Sequence, residues 1–199
     1  MSTRRTDLLD AAITLLGEQG VRALTHRAVD ATAGLPPGSA ANHFSTRDAL
    51  IKAVAERISD RERARWEELA PTVYPTTPAE LAEVMIMLAR QSTGPDRALT
   101  LARYAILGEA ANQPGLRDHF LSIGSRVDAY FLNWVRAAGS PRPERDAPLI
   151  MNHWTGLVLH QLAIPDPAFA AAGQITDLMH TLEKSWTPTR SGTRSTRIG

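Results

Sequence analysis

Residues 24–50 read LTHRAVDATAGLPPGSAANHFSTRDAL, and this stretch decides the fold. Thr25 is a good N-cap residue. Ala28, Val29 and Ala33 follow it at helical spacing, and Gly34 ends the run. Pro37 suits the first turn of a second short helix reaching about Phe44, because proline lacks only a donor that a helix start leaves unpaired anyway. Ser45 then opens a further helix, with Asp48 three residues on to close a capping box. Two short helices joined by a glycine-containing turn make a helix-turn-helix, provided a longer helix supports them.

That support lies upstream. Leu8, Leu9, Ala12, Ile13, Leu15 and Leu16 form one helical stripe, Gly20 stands where a left-handed cap is wanted, and Val21 can pack back on Leu16. Downstream, Leu50, Val54 and Ile58 share a face. A helix that enters a major groove needs short polar residues outward, and Ser39, Asn42 and His43 fit, with Ala40 and Phe44 inward. Arg27 is placed to reach a base or a phosphate. Thr25 heads a helix N-terminus, Arg47 lies one turn into the next helix, and Arg4 and Arg5 read as a mobile basic arm. The expected partner is double-stranded DNA. From pattern alone, a plain helical bundle with solvated polar residues stays open as the alternative.

Composition limits the other classes. The chain has 199 residues, no cysteine and a formal net charge of +1, so any attraction to nucleic acid must come from a local patch. No run of about 18 apolar residues occurs, and the N-terminus has no signal-like apolar block, so a soluble cytoplasmic protein is expected. GxxxxGK[ST], GxGxxG and HExxH are all absent, and neither the histidines nor the serines form a recognisable metal or nucleophile site. The sequence points to no catalytic residue, no cofactor and no metal.

Helical periodicity continues to Trp186, giving an all-α chain of about nine helices. The expected division is a helix-turn-helix domain over 1–58, a helical effector-binding and dimerisation domain over 59–186, and a disordered tail over 187–199. Pro71 to Pro78 is the clearest break, and Thr77-Pro78-Ala79-Glu80 restarts a helix with cap, proline and capping-box acid in order. Later helices are expected over about 96–112, from Pro114, over 147–164 and over 167–186.

Residues 8–58 resemble the N-terminal domain of the TetR family of transcriptional regulators. The resemblance rests on Leu9-Asp10-Ala11-Ala12, Gly20, Leu24-Thr25-His26-Arg27-Ala28-Val29, Ala33-Gly34-Leu35, Gly38-Ser39 and His43-Phe44-Ser45-Thr46-Arg47-Asp48-Ala49-Leu50. It implies backbone and base contacts for Thr25 and Arg27, a groove-facing role for Ser39, and phosphate contacts for His43 and Arg47. Family members often carry bulky aromatics at the two positions before His43. Here they are Ala41, which cannot hold a phosphate, and Asn42, which can make a different contact.

The resemblance also implies a helical second domain with a buried effector pocket, and a homodimer formed by the last two helices that reads a palindromic operator. Polar tips on apolar walls suggest Arg103, Tyr104, His119, Tyr130, Trp134 and Trp154 for the pocket, with the inward Phe120 as an apolar wall and Met85 and Met151 as adaptable lining. The expected effector is an apolar or aromatic small molecule. Leu157, Leu162, Ile175, Leu178, Met179 and Leu182 either pair with a second copy or complete the chain's own core. Together these features give a ligand-responsive DNA-binding regulator, expected to be a repressor, with an activator or DNA-organising protein of the same fold left open by the sequence. A helical small-molecule enzyme or carrier, whose N-terminal helices only pack, is the competing reading.

Overall fold

The computed structural model describes residues 3–186, with side chains described throughout that span except at 120–128. Nine α-helices lie among them. They are α1 Arg4–Gln19, α2 His26–Thr32, α3 Ser39–His43, α4 Arg47–Leu69, α5 Pro78–Thr93, α6 Arg97–Asn112, α7 Pro114–Ala137, α8 Pro143–Ala163 and α9 Ala171–Trp186, with a 3-10 turn at Val21–Ala23. No strand occurs among the described residues.

Threonines set four of the starts. Thr3, Thr25, Thr46 and Thr77 accept hydrogen bonds from the backbone N–H of Thr6, Ala28, Ala49 and Glu80 at 3.1 to 3.3 Å. Three of these details correct the sequence expectation. The cap of α4 is Thr46, not Ser45, so Asp48 sits in the first turn and suits the helix dipole instead of closing a box. Arg4 and Arg5 are the first residues of α1, not an arm, because Thr3 already starts the helix. Glu80 returns to the N–H and hydroxyl of Thr76, at 2.7 and 2.8 Å, one residue before the cap.

Further starts move for local reasons. α3 begins at Ser39, after Pro37, because Gly38 takes a left-handed φ of 91°. α8 begins at Pro143, where the proline fills the first turn and the Arg142 carbonyl accepts from the Asp146 N–H. α9 begins only at Ala171. The Asp166 carboxylate accepts from the N–H groups of Ala168 and Ala170 and holds the preceding turn, which carries Phe169 at a φ of 52°.

Two cores result. The first joins α1, α2, α3 and the first half of α4 to Ala102, Ile106 and Ala110 of α6 and Leu116 of α7. The second holds Trp66, Leu81, Met85, Phe131, Trp134, Ile150, Trp154 and the inner face of α9. α4 belongs to both: Leu50 to Ile58 pack in the first and Trp66 in the second, with no break at the expected boundary of 58. α6 is also shared, since Leu101 and Tyr104 pack against the second core. It crosses α1 so closely that a Cβ on Gly17 would lie 2.2 Å from the Ala98 carbonyl oxygen.

Candidate nucleic-acid interface and effector cavity

The orientation of α3 follows from what it buries. Ala40 and Phe44 are inside, which leaves Ala41, Asn42 and His43 exposed. The helix is only five residues long, so side-chain packing alone holds it weakly. Asp30 supplies the missing tie. Its carboxylate is buried and accepts from the N–H groups of Gly38 at 2.8 Å and Ala40 at 2.7 Å. A buried carboxylate must be hydrogen-bonded to be tolerated, and these two donors are among those that a helix start leaves orphaned. His26 adds a second tie, with Nε2 2.7 Å from the Phe44 carbonyl oxygen. The sequence reading missed both residues. The signal was present in Asp30, a charged residue beside Val29 on the inward side of α2.

The expected contact residues divide into free and committed groups. Thr25, Arg27, Asn42 and His43 are exposed. The Ser39 hydroxyl donates to the Pro36 carbonyl at 2.6 Å. Arg47 donates from Nη2 to the Val21 carbonyl at 2.9 Å and from Nε to the Leu24 carbonyl at 3.4 Å, pinning the segment that leads into α2. The Arg5 guanidinium lies 5.5 Å from the centre of the Phe44 ring, while Arg4 is exposed at the start of α1.

A cavity of about 180 Å³ lies between α4, α5, α6 and α8. Trp66, Leu88, Leu99, Met151 and Trp154 give it apolar walls, and Arg61, Glu62, Arg65, Asp96 and Arg103 give it a charged side. Arg65 pairs with Asp96. Arg103 Nε is 3.3 Å from Glu62 Oε1, yet this buried nitrogen makes no hydrogen bond. Burial pushes the Glu62 carboxyl above the usual carboxylate range, and the Arg103 charge offsets this only in part.

Of the pocket residues expected from sequence, Arg103, Met151 and Trp154 line this cavity. Met85 is buried behind it, and its carbonyl accepts from Trp154 Nε1 at 3.0 Å. Trp134 packs on Trp66 with ring centres 4.8 Å apart. The Tyr104 hydroxyl donates to the Thr155 carbonyl at 3.1 Å, and burial pushes its phenol up to about 12. Tyr130 packs half-buried against the second core, and His119 faces Glu56 of α4 at 3.3 Å. Phe120 lies outside the described side chains. The α4 residues of the cavity were missed, because that stretch reads as an ordinary charged helix.

Among the residues chosen for a dimer face, Leu162, Ile175, Met179 and Leu182 are buried in the chain's own core, and Leu157 and Leu178 are half-buried. The apolar side chains exposed near the C-terminal helices are Leu149 at 43%, Leu159 at 46% and Ile164 at 63%. No helix is long and apolar enough to cross a membrane, and no cluster of three metal-ligating side chains is present, among the described residues.

Residues 8–54 match the family described as bacterial regulatory proteins, tetR family, and residues 76–185 match the tetracyclin repressor-like C-terminal domain. The transcriptional repressor KstR2 of Rhodococcus jostii is 35% identical over 68 residues, 34% of this chain and 33% of that protein. KstR2 of Mycolicibacterium smegmatis is 24% identical over 155 residues, 75% of this chain and 73% of that protein. Among solved structures, a transcriptional regulator from Rhodococcus sp. Rha1 superposes with a TM-score of 0.76 at 20% identity, covering 92% of this chain and 97% of the other. The multidrug binding protein EbrR, complexed with ethidium, gives 0.70 at 25% identity, covering 90% and 98%. With a family model spanning most of the second domain and another spanning the helix-turn-helix, the chain belongs to the TetR family of bacterial transcriptional regulators.

Proposed function

We propose that this protein is a ligand-responsive repressor that binds a palindromic operator as a homodimer and leaves it when a small molecule occupies the cavity. The observation that carries this reading is the unbroken α4. Its first half, Leu50 to Ile58, is core to the helix-turn-helix, and its second half supplies Arg61, Glu62, Arg65 and Trp66 to the cavity. A ligand that prefers one setting of α4 therefore shifts the position of α3, and by no more than its differential affinity for the two settings. α6 reinforces the link, because Asp96, Leu99, Thr100 and Arg103 line the cavity while Ala98 abuts Gly17 of α1. The Arg57 guanidinium clasps Asp10 of α1 at 2.9 Å through both oxygens, so α1 and α4 move together.

On the DNA, Thr25, Arg27, Ser39, Asn42, His43 and Arg47 are the proposed contacts, with Arg4 and Arg5 adding charge. Two copies related by a twofold axis would read half-sites about 34–36 Å apart. The exposed side of α8, with Leu149 and Leu159, is the proposed dimer face, because the inner residues of α8 and α9 are already used. The cavity binds and does not turn over its ligand, and the protein works in the cytoplasm with the bacterial DNA. The test is to select bound duplexes from genomic fragments and then screen small molecules for release. Specific palindromes with ligand-dependent release support the reading. Binding without sequence preference, or indifferent to every ligand that enters the cavity, contradicts it.

A further inference from the structure

We propose that the effector is a small single-ring carboxylate, whose ring lies between Trp66, Leu99 and Met151 and whose carboxylate takes the Arg103 guanidinium away from Glu62. This rests on the reading of the cavity as the effector site. Size is the first argument. An apolar cavity of about 150 Å³ holds a benzene ring, and this one of about 180 Å³ holds that ring and a small polar group. Charge is the second. The lining carries three arginines, Arg61, Arg65 and Arg103, against two acids, Glu62 and Asp96. Arg65 is taken by Asp96, and Arg61 faces Asp10 of α1 at 3.8 Å.

Arg103 is the third and strongest argument. Its Nε is buried beside Glu62 without a hydrogen bond. A buried donor left unmade is costly, and an acceptor-bearing ligand removes that cost. A carboxylate fits a guanidinium through two parallel bonds, which Glu62 does not make here. A cationic ligand would instead meet a lining that carries one more arginine than acids.

The displaced Glu62 would then stand beside a second carboxylate. Arg103 and Tyr104 of α6 act on it directly, Arg61, Arg65 and Asp96 line the same cavity, and the cavity residues of α5 and α8 are uncharged. Burial already favours the protonated acid at Glu62. Losing the Arg103 charge raises that carboxyl further, so binding takes up a proton there and tightens as pH falls.

The test is calorimetric titration of the full chain with benzoate, benzamide and benzylamine. Benzoate is expected to bind about tenfold or more tightly than the other two, the scale of a charge-assisted pair. Arg103→Met removes that preference, and Glu62→Gln strengthens benzoate binding and abolishes its pH dependence. Failure of benzoate to bind at millimolar concentration, tighter binding of benzylamine, or a preference that survives Arg103→Met would overturn the proposal. Leu99→Trp, which fills the cavity, separates the two layers of inference. An amine that binds more tightly than benzoate, and whose binding it blocks, refutes the carboxylate and leaves the effector site standing. Binding of any probe that it does not alter refutes the effector site itself.

Discussion

In the helix-turn-helix, the working face is exposed and its geometry is held by short polar ties: Thr25 to Ala28, Asp30 to Gly38 and Ala40, His26 to Phe44, and Arg47 to Val21 and Leu24. Most of these span fewer than twenty residues of chain. In the cavity region, the working face is recessed between helices, and four helices drawn from residues 61–154 supply it. The first region is rigid because its backbone donors are clamped. The second contains an arginine and a glutamate paired without a hydrogen bond. That difference suits the two tasks, since a groove reader must hold one shape while a sensor must have two.

Asp30→Ala attacks the rigid region at its clamp. It orphans the buried Ala40 N–H and the part-buried Gly38 N–H, whose bonds to a charged acceptor are worth about 1.5–3 kcal/mol each at most. The expected result is a lower melting temperature together with loss of operator binding, measured by calorimetry and anisotropy. Retention of full operator affinity would show that α3 does not depend on that clamp.

Gly17→Ala attacks the joint between the regions. The added Cβ meets the Ala98 carbonyl at 2.2 Å, so α1 and α6 must separate. Overpacking of this kind costs about 1–3 kcal/mol. Ligand-induced release is expected to weaken more than operator affinity, and equal loss of both would contradict a coupling role for this crossing.

Arg27→Ala leaves the fold alone. Its side chain is exposed, so the melting temperature should not move, while operator affinity falls by about 1–3 kcal/mol if it pairs with a base. A change in melting temperature without a change in affinity would place Arg27 outside the interface.

The smallest effect concerns the cavity. The folded-state value of Glu62 lies above its ordinary 4.5, so folding favours the protonated acid. That contribution is fully present below pH 4.5 and is lost as pH rises through the folded-state value. Glu62→Gln, always neutral, should therefore melt above the wild type at pH 8, with the gap closing toward pH 4.5. A gap of constant size would show that Glu62 is not shifted by its surroundings.

The unequal legibility of the two regions has the same origin as their mechanics. Caps, glycine punctuation and helical stripes act within a few residues, so α1, α2 and the exposed positions Arg27, Asn42 and His43 could be read directly. At Ser45, Pro37 and Pro167 the reading slipped where a side chain settled the competition, Thr46, Asp30 and Asp166, whereas α8 starts at Pro143 and not at 147 because the proline fills its first turn. The cavity offered no such local code. Tyr104, Trp134 and Met85 have the composition of pocket residues but serve as packing, whereas Glu62 and Arg65 look solvated and line the site. Only the crossing of α4 over α6 makes that distinction.

The most direct test of DNA docking is the salt dependence of binding to a selected palindromic duplex, followed by fluorescence anisotropy. The chain carries a net charge of only +1, so attraction must come from the local patch around Arg27, once for each copy of the proposed dimer. Each phosphate neutralised contributes a slope of about −0.9 in log K against log salt, and a dimer should give about −3 or steeper. A steep, linear fall that Arg27→Ala makes shallower is the expected result. A flat dependence would contradict the docking of this face on DNA.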